Sequence, residues 1–432
     1  MKHTVSEVSL QNGVKGLIIH IPDATVMRLE INFRAGEYLV PKKKWEVPHL
    51  MEHLLLGANE LIPRARDFQA EFEKNGAYNN ASTGVYDITY EAECADFEWD
   101  RTLGMLLVAI TKPLFLVDEF KAEYGNVQEE MMARTNNHFR QLSLIMRKKF
   151  GLIAKTDTER IALMSNVTVE DIRSHYLRTH VTANMRFVIA GNITSKRQAI
   201  IESLLANVEL NEKGKRFELP IEKLNPTIQP IYIHNESVEN LYFFIDTFIR
   251  RRLDDREADA LNLLNTMLTE TLYSKILGTA RERGLVYGMD SGISQTRNLS
   301  NWWFSAQVSD KNAPALFSII SKEVGKVLSG DIDLNDIEAT KQYSLGRFQR
   351  SAQTVAATAN GYAGRYFFDG IIEEYSQVPE RIKAVTKDSI VKVAQAMLAD
   401  NIWGIGVLGY CGESFVEKLK LQLGPLWQIR KV

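Results

Sequence analysis

Val167-Thr168-Val169-Glu170-Asp171-Ile172 and Val385-Thr386-Lys387-Asp388-Ser389-Ile390 carry one pattern twice. The likeness continues downstream of both, where Val188-Ile189-Ala190-Gly191 is answered by Val407-Leu408-Gly409. The second copy lies 218 positions beyond the first at both points (385 against 167, 409 against 191), so a helix and a strand recur without a gap. A unit of this length is no solenoid repeat, which would return every few tens of residues, and it implies a duplicated domain. The expected fold class is therefore α+β: two homologous α/β-layer domains, each a sheet with helices packed on one face, related by duplication.

Working outward from the first copy, apolar and polar residues alternate over Val5–Leu10 and Val14–Ile21, separated by Gln11-Asn12-Gly13 with its tight-turn chemistry. A further strand is expected at Thr25–Arg34, helices at Val47–Leu56 and Arg66–Lys74, and strands at Ala77–Thr83 and Val85–Ala92. From Phe97 to Lys149 the spacing is helical, broken at Pro113, with one long helix from Val117 past Arg134. Val169–Leu177 closes the unit as a helix and Met185–Ala190 as a buried strand. The stretch Glu209–Gln229, rich in Glu, Lys, Asn and Pro, has little periodicity and reads as a connection. The expected domains are thus residues 1–208, a linker 209–229, and residues 230–432.

The bulk numbers agree with two domains. At 432 residues, with 45% apolar and 25% charged residues, the chain has the composition of an ordinary globular protein and is too long for one core. A net charge of -2 and two short basic clusters, Lys42-Lys43-Lys44 and Arg250-Arg251-Arg252, give no footprint for nucleic acid. Cys94 and Cys411 stand alone, which excludes a disulfide framework or a thiolate metal site. No apolar run has the length of a membrane span and no signal-peptide pattern opens the chain, so a cytoplasmic location is expected.

Chemistry concentrates in His49-Leu50-Met51-Glu52-His53. On a helix, residues four apart share one face, so both imidazoles can reach one small metal ion, while Glu52 stands beside them without being a ligand. A catalytic zinc needs a third protein ligand and an open position for water. The helix from Val117 offers Glu119, Glu123, Glu129 and Glu130, and spacing does not choose among them. The remaining histidines, His3, His20, His138, His175, His180 and His234, lie outside any ligand spacing. There is no GxSxG elbow, no phosphate-binding GxxxxGK[ST] and no GxGxxG after a strand, so nucleophilic and nucleotide chemistry recede.

His-x-x-Glu-His is the inverzincin signature, and its surroundings resemble the pitrilysin/insulinase family, in particular the members similar to the mitochondrial processing peptidases. Ala35-Gly36-Glu37, Leu56-Gly57-Ala58 and Glu123-Tyr124-Gly125-Asn126-Val127-Gln128-Glu129-Glu130-Met131 carry the likeness. The resemblance implies Glu130 as third metal ligand and Glu123 as a supporting acid. Asn79-Asn80-Ala81-Ser82-Thr83 is similar to the family's edge strand, onto which a peptide is added, and this implies Asn80 and Ala81 as substrate contacts. Arg281-Glu282-Arg283-Gly284-Leu285-Val286-Tyr287 resembles the segment whose Arg and Tyr touch the peptide, here with an Arg-to-Tyr interval one residue short. The second half has no histidine motif of its own, as in the family's degenerate domains.

What the resemblance implies is a zinc-dependent endopeptidase acting on peptides or small unfolded polypeptides through metal-activated water, with Zn2+ as cofactor, Glu52 as general base and Tyr287 assisting. A chamber built from two such chains implies a homodimer, or a heterodimer with a related subunit. The alternative is a non-catalytic scaffold or peptide-binding subunit of a heterodimeric processing peptidase.

Overall fold

The strands form two sheets of matching order. In the first, β1 (Thr4–Ser9), β2 (Lys15–His20), β3 (Val26–Phe33), β4 (Tyr78–Thr83), β5 (Ile88–Ala95) and β6 (Met185–Gly191) lie in the order β1-β2-β6-β3-β5-β4. In the second, β7 (Ile231–His234), β8 (Leu241–Ile249), β9 (Met289–Gln295), β10 (Ser300–Val308) and β11 (Ile402–Gly409) lie in the order β7-β11-β8-β10-β9. With β1 set aside the two orders coincide, down to the parallel pair in each sheet, β2 with β6 and β7 with β11. This is a duplicated sheet-and-helix architecture. The computed structural model describes residues 1–225, 229–351, 353–373 and 375–427. Residues 226–228 of the expected linker, and 352, 374 and 428–432 of the expected second domain, lie outside the described residues.

The repeat that betrays the duplication is made of local devices. Thr168 caps the helix Val169–Thr179 by accepting from the Asp171 N–H, while the Asp171 side chain returns to the Thr168 N–H. Thr386 and Ser389 form the same reciprocal pair before Lys387–Ala399. At the other end of the repeat, Gly191 and Gly409 end β6 and β11 with φ of 152° and 148°, a region that disfavours any side chain. A Cβ on Gly191 would also come within 2.1 Å of Met27 Sδ.

Contacts divide the chain into two compact units that cross the repeat boundary. One comprises Met1–Ala133, Asp157–Leu219 and Gln349–Tyr375; the other comprises Arg134–Thr156, Pro220–Phe348 and the chain from Ser376. The crossing segments are equivalent helices, His138–Lys149 and Val355–Asp369, and each packs on the sheet of the other repeat. In the first unit, one face of the sheet carries the main core, including Leu50, Met51, Leu54, Val127 and Met131. On the opposite face Leu17, Ile19, Val188 and Ala190 meet Val355, Ala359, Tyr362 and Tyr366 of the incoming helix. Arg34 and Arg216 donate to the carbonyls of Phe368 and Phe367 at 2.7 and 2.6 Å, placing positive charge at that helix's C-terminal end. In the second unit Leu142, Met146 and Phe150 pack with Phe248, Ile402 and Leu408. The sequence predicts helices on one face of each sheet, and the exchanged helix adds a partial layer on the other. Among the described residues no helix is long and apolar enough to cross a membrane.

Candidate metal centre

The helix Val47–Leu55 buries Leu50, Met51, Leu54 and Leu55, and this fixes its rotation. His49 and His53 then fall one turn apart on the side away from that core, their ring centroids separated by 5.1 Å. The helix Val117–Thr135 is anchored through Val127 and Met131, leaving Glu123 and Glu130, two turns apart, toward the histidines. Glu130 Oε2 lies 3.3 Å from His49 Nε2 and 3.6 Å from His53 Nε2. One ligand atom from each of His49, His53 and Glu130 lies within 4.8 Å of the others. Among the described residues no other group of His, Cys, Asp and Glu meets that criterion.

The donor set fits a zinc ion. Bonds of about 2.1 Å in a tetrahedron put ligand atoms roughly 3.4 Å apart, close to the 3.3 and 3.6 Å from Glu130 Oε2 to the two rings. Both rings present Nε2 inward because Nδ1 is engaged outside: His53 Nδ1 donates to Glu123 Oε2 at 2.9 Å and His49 Nδ1 to Glu46 Oε2 at 3.1 Å. Burial alone would lower the imidazole pKa of His53, but hydrogen bonds to Glu123 and Glu130 outweigh it and raise His53 to about 9. His49 is likewise raised against its burial, through Glu130 and Glu46.

The four acids on the long helix separate by position. Glu119 Oε1 accepts from the Ala58 N–H at 2.8 Å, Glu129 is exposed, Glu123 holds His53, and Glu130 faces both rings. The hydrogen bond from His53 holds the Glu123 carboxyl below its ordinary range. Glu52 is buried on the same helix as the histidines and accepts a hydrogen bond at 2.5 Å from Thr83 Oγ1.

Thr83 belongs to β4, which pairs on one side only, with β5, and is the edge of the first sheet. Asn80 and Ala81 lie on this edge opposite Glu91 and Tyr90, Asn80 exposed and Ala81 against the core. Arg281 and Tyr287 belong to the second unit. There the Arg281 guanidinium lies over the Tyr287 ring at 4.5 Å and donates to its carbonyl, and Tyr287 is 86% exposed.

Sequence reasoning passed over Glu46, Thr83 and Arg160. Glu46 sits one turn before His49 and was open to the same spacing argument. Thr83 needed the strand register, and Arg160, 114 residues from Glu46, left no local signal. The other buried histidines are satisfied core residues. His175 Nε2 donates to the Ala35 carbonyl at 2.7 Å, and burial pushes its pKa down to about 4. His180 is bonded to the Tyr90 hydroxyl and stacks on Phe33.

The His49-x-x-Glu52-His53 motif with its nearby carboxylates matches a zinc-protease catalytic site that uses the glutamate as base. Residues 17–157 match the family described as "Insulinase (Peptidase family M16)", and residues 166–343 match "Peptidase M16 inactive domain". The chain is 23% identical over 182 residues to insulin-degrading enzyme of Drosophila melanogaster, covering 40% of this chain and 18% of that one. It is 24% identical over 231 residues to "Probable zinc protease PqqL" of Escherichia coli, covering 50% and 24%. It therefore spans about a fifth to a quarter of the curated relatives it matches. A protease structure from Helicobacter pylori superimposes with a TM-score of 0.82 at 18% identity, over 94% of this chain and all of that one, and so shares its fold. The two M16 matches together take in well over half of the sequence, and the chain belongs to the M16, or insulinase, family of peptidases.

Proposed function

We propose that this chain is a zinc-dependent endopeptidase for peptides or small unfolded polypeptides, with His49, His53 and Glu130 as metal ligands and Glu52 as general base. The observation that carries the reading is the convergence of three ligand atoms within 4.8 Å, on two helices, with a buried carboxylate beside them. Zinc in such a site supplies Lewis acidity and makes a water acidic enough to lose its proton near pH 7.

The protein's part is set by its own groups. Glu52 takes the proton of the attacking water and delivers it to the leaving amine. Glu123 keeps the proton of His53 on Nδ1, so that Nε2 is available to the metal. The free edge of β4 offers main-chain donors and acceptors to an extended peptide, with Asn80 and Ala81 as contacts. Arg281 and Tyr287 are assigned to the same peptide, Tyr287 donating its hydroxyl to the developing oxyanion.

In this reading residues 1–208 form the metallopeptidase domain, 209–229 the connection, and 230–432 a degenerate half that contacts substrate. The likeness to the mitochondrial processing peptidases supports a paired chamber, hence a homodimer or a heterodimer with a related subunit. A cytoplasmic location belongs to the same reading, and the unpaired Cys94 and Cys411 are what a reducing compartment would maintain. The test is zinc content measured together with cleavage of a quenched peptide library. About one zinc per chain and hydrolysis abolished by Glu52→Gln, with zinc retained, is the expected result. A protein that holds zinc yet cleaves no peptide, alone or with a related subunit, would instead be a scaffold.

A further inference from the structure

Behind His49 the hydrogen bonds continue to a residue far outside the motif. Glu46, just before the helix, is fully buried. Its Oε1 accepts from Arg160 Nε at 2.6 Å, and its Oε2 from Arg160 Nη2 at 2.9 Å and from His49 Nδ1 at 3.1 Å. Arg160 is itself buried on the helix Asp157–Met164, and its guanidinium lies 3.6 Å from Glu37, a second buried carboxylate. A carboxylate without water is costly unless paired with good geometry, and a two-point guanidinium contact fixes its plane as well as its charge. That plane sets the direction in which Glu46 can accept from His49. The support of His53 is looser: Glu123 is half-buried, and Asn126 bonds its other oxygen at 3.2 Å.

We propose that Arg160 is a positioning residue of the metal centre. By locking Glu46 it keeps the His49 proton on Nδ1 and aims Nε2 at Glu130 before any metal arrives. The proposal rests on the reading of His49 as a ligand, and it differs from a mere tie between two helices. Such a tie would affect unfolding without changing the state of the His49 ring in folded protein.

The test uses the full chain and zinc alone, with affinity measured by chelator competition. A second readout is the hydrogen-bonded His49 Nδ1 proton in metal-free, 15N-histidine-labelled protein. Glu46→Leu/Arg160→Met removes both charges of the pair together, and folding is checked first because Glu37 then loses its cation. We expect it to weaken zinc binding about 10- to 100-fold and to lose the protected Nδ1 proton. Arg160→Lys, which keeps the cation but loses the two-point contact, should also weaken zinc binding, by about tenfold, and parental affinity in this variant would overturn the positioning role. A folded double variant that binds zinc like the parent or keeps the Nδ1 proton overturns the proposal. If the double variant does not fold, Glu46→Gln decides: a loss of affinity of about tenfold supports the positioning role, and parental affinity ends it. If the parent itself binds no zinc, the peptidase reading fails, while the Nδ1 proton still shows whether the pair orients the ring.

Discussion

Thr83 on the edge strand donates its hydroxyl to Glu52 on the motif helix, so the strand proposed to receive substrate also holds the proposed base. A hydrogen bond to a charged group contributes about 1.5–3 kcal/mol. Thr83→Val keeps the shape and removes the donor, and should lower kcat roughly 10- to 100-fold with zinc content unchanged. Thr83→Ser should recover most of the activity. Steady-state kinetics on a single fluorogenic peptide checks both, and parental kcat in Thr83→Val would show that Glu52 needs no such anchor.

Glu123 stands to His53 as a carboxylate orienting a ligand. Glu123→Gln retains an acceptor but loses the charge, and should weaken zinc binding about tenfold, whereas Glu129→Gln, on the exposed side of the same helix, should change nothing. Chelator competition distinguishes the two. Equal behaviour would mean that the orienting bond is irrelevant to the metal.

Burial pushes the Asp246 carboxyl up to about 6, against the hydrogen bond from Asn301 and the nearby charge of Arg147. Its ordinary value is 3.8, so between about pH 4 and 6 the folded chain holds a proton that the unfolded chain has released. Stability therefore falls as pH rises through that window, and the loss persists above it. Asp246→Asn should be neutral below pH 4 and stabilising at pH 7, by at most about 3 kcal/mol. Urea unfolding of both proteins at several pH values measures the difference, and a gap that does not vary with pH would remove Asp246 as its cause.

Much of the fold was legible because its signals are local. Thr168 and Thr386 repeat as caps, and Gly191 and Gly409 repeat as strand ends with positive φ, since each satisfies a condition set within a few residues. The histidine pair was legible for the same reason, as helical spacing alone brings His49 and His53 together. Spacing did not single out Glu130, which only the family resemblance named, because four acids share its helix and packing through Val127 and Met131 decides which face turns inward. Arg160 and the exchange of the two equivalent helices were invisible. An amphipathic pattern in His138–Lys149 says that one face is buried, but not on which of two similar sheets.

Gly191 and Gly409 offer a direct test of the repeat, since each holds a left-handed backbone that a Cβ would strain. Gly409→Ala also brings the new carbon within 2.8 Å of Leu241 Cδ2. Each single change should cost about 1–3 kcal/mol by denaturant unfolding. A cost near zero at either glycine would mean that the strand end relaxes freely.

The exchanged helices make a sharper prediction about cutting the chain. A fragment ending at Leu219 contains the first sheet but lacks Val355–Asp369, and so exposes Leu17, Ile19, Val188 and Ala190. Each large apolar side chain returned to water costs about 1.5–3 kcal/mol, so several together approach the whole stability of a domain. The fragment should therefore be aggregation-prone or molten, with weak near-UV circular dichroism and strong dye binding. Co-expression with the remainder of the chain, which supplies that helix, should restore a cooperative unfolding transition. A Leu219-terminated fragment that unfolds cooperatively alone would show that the helix covers the sheet without stabilising it.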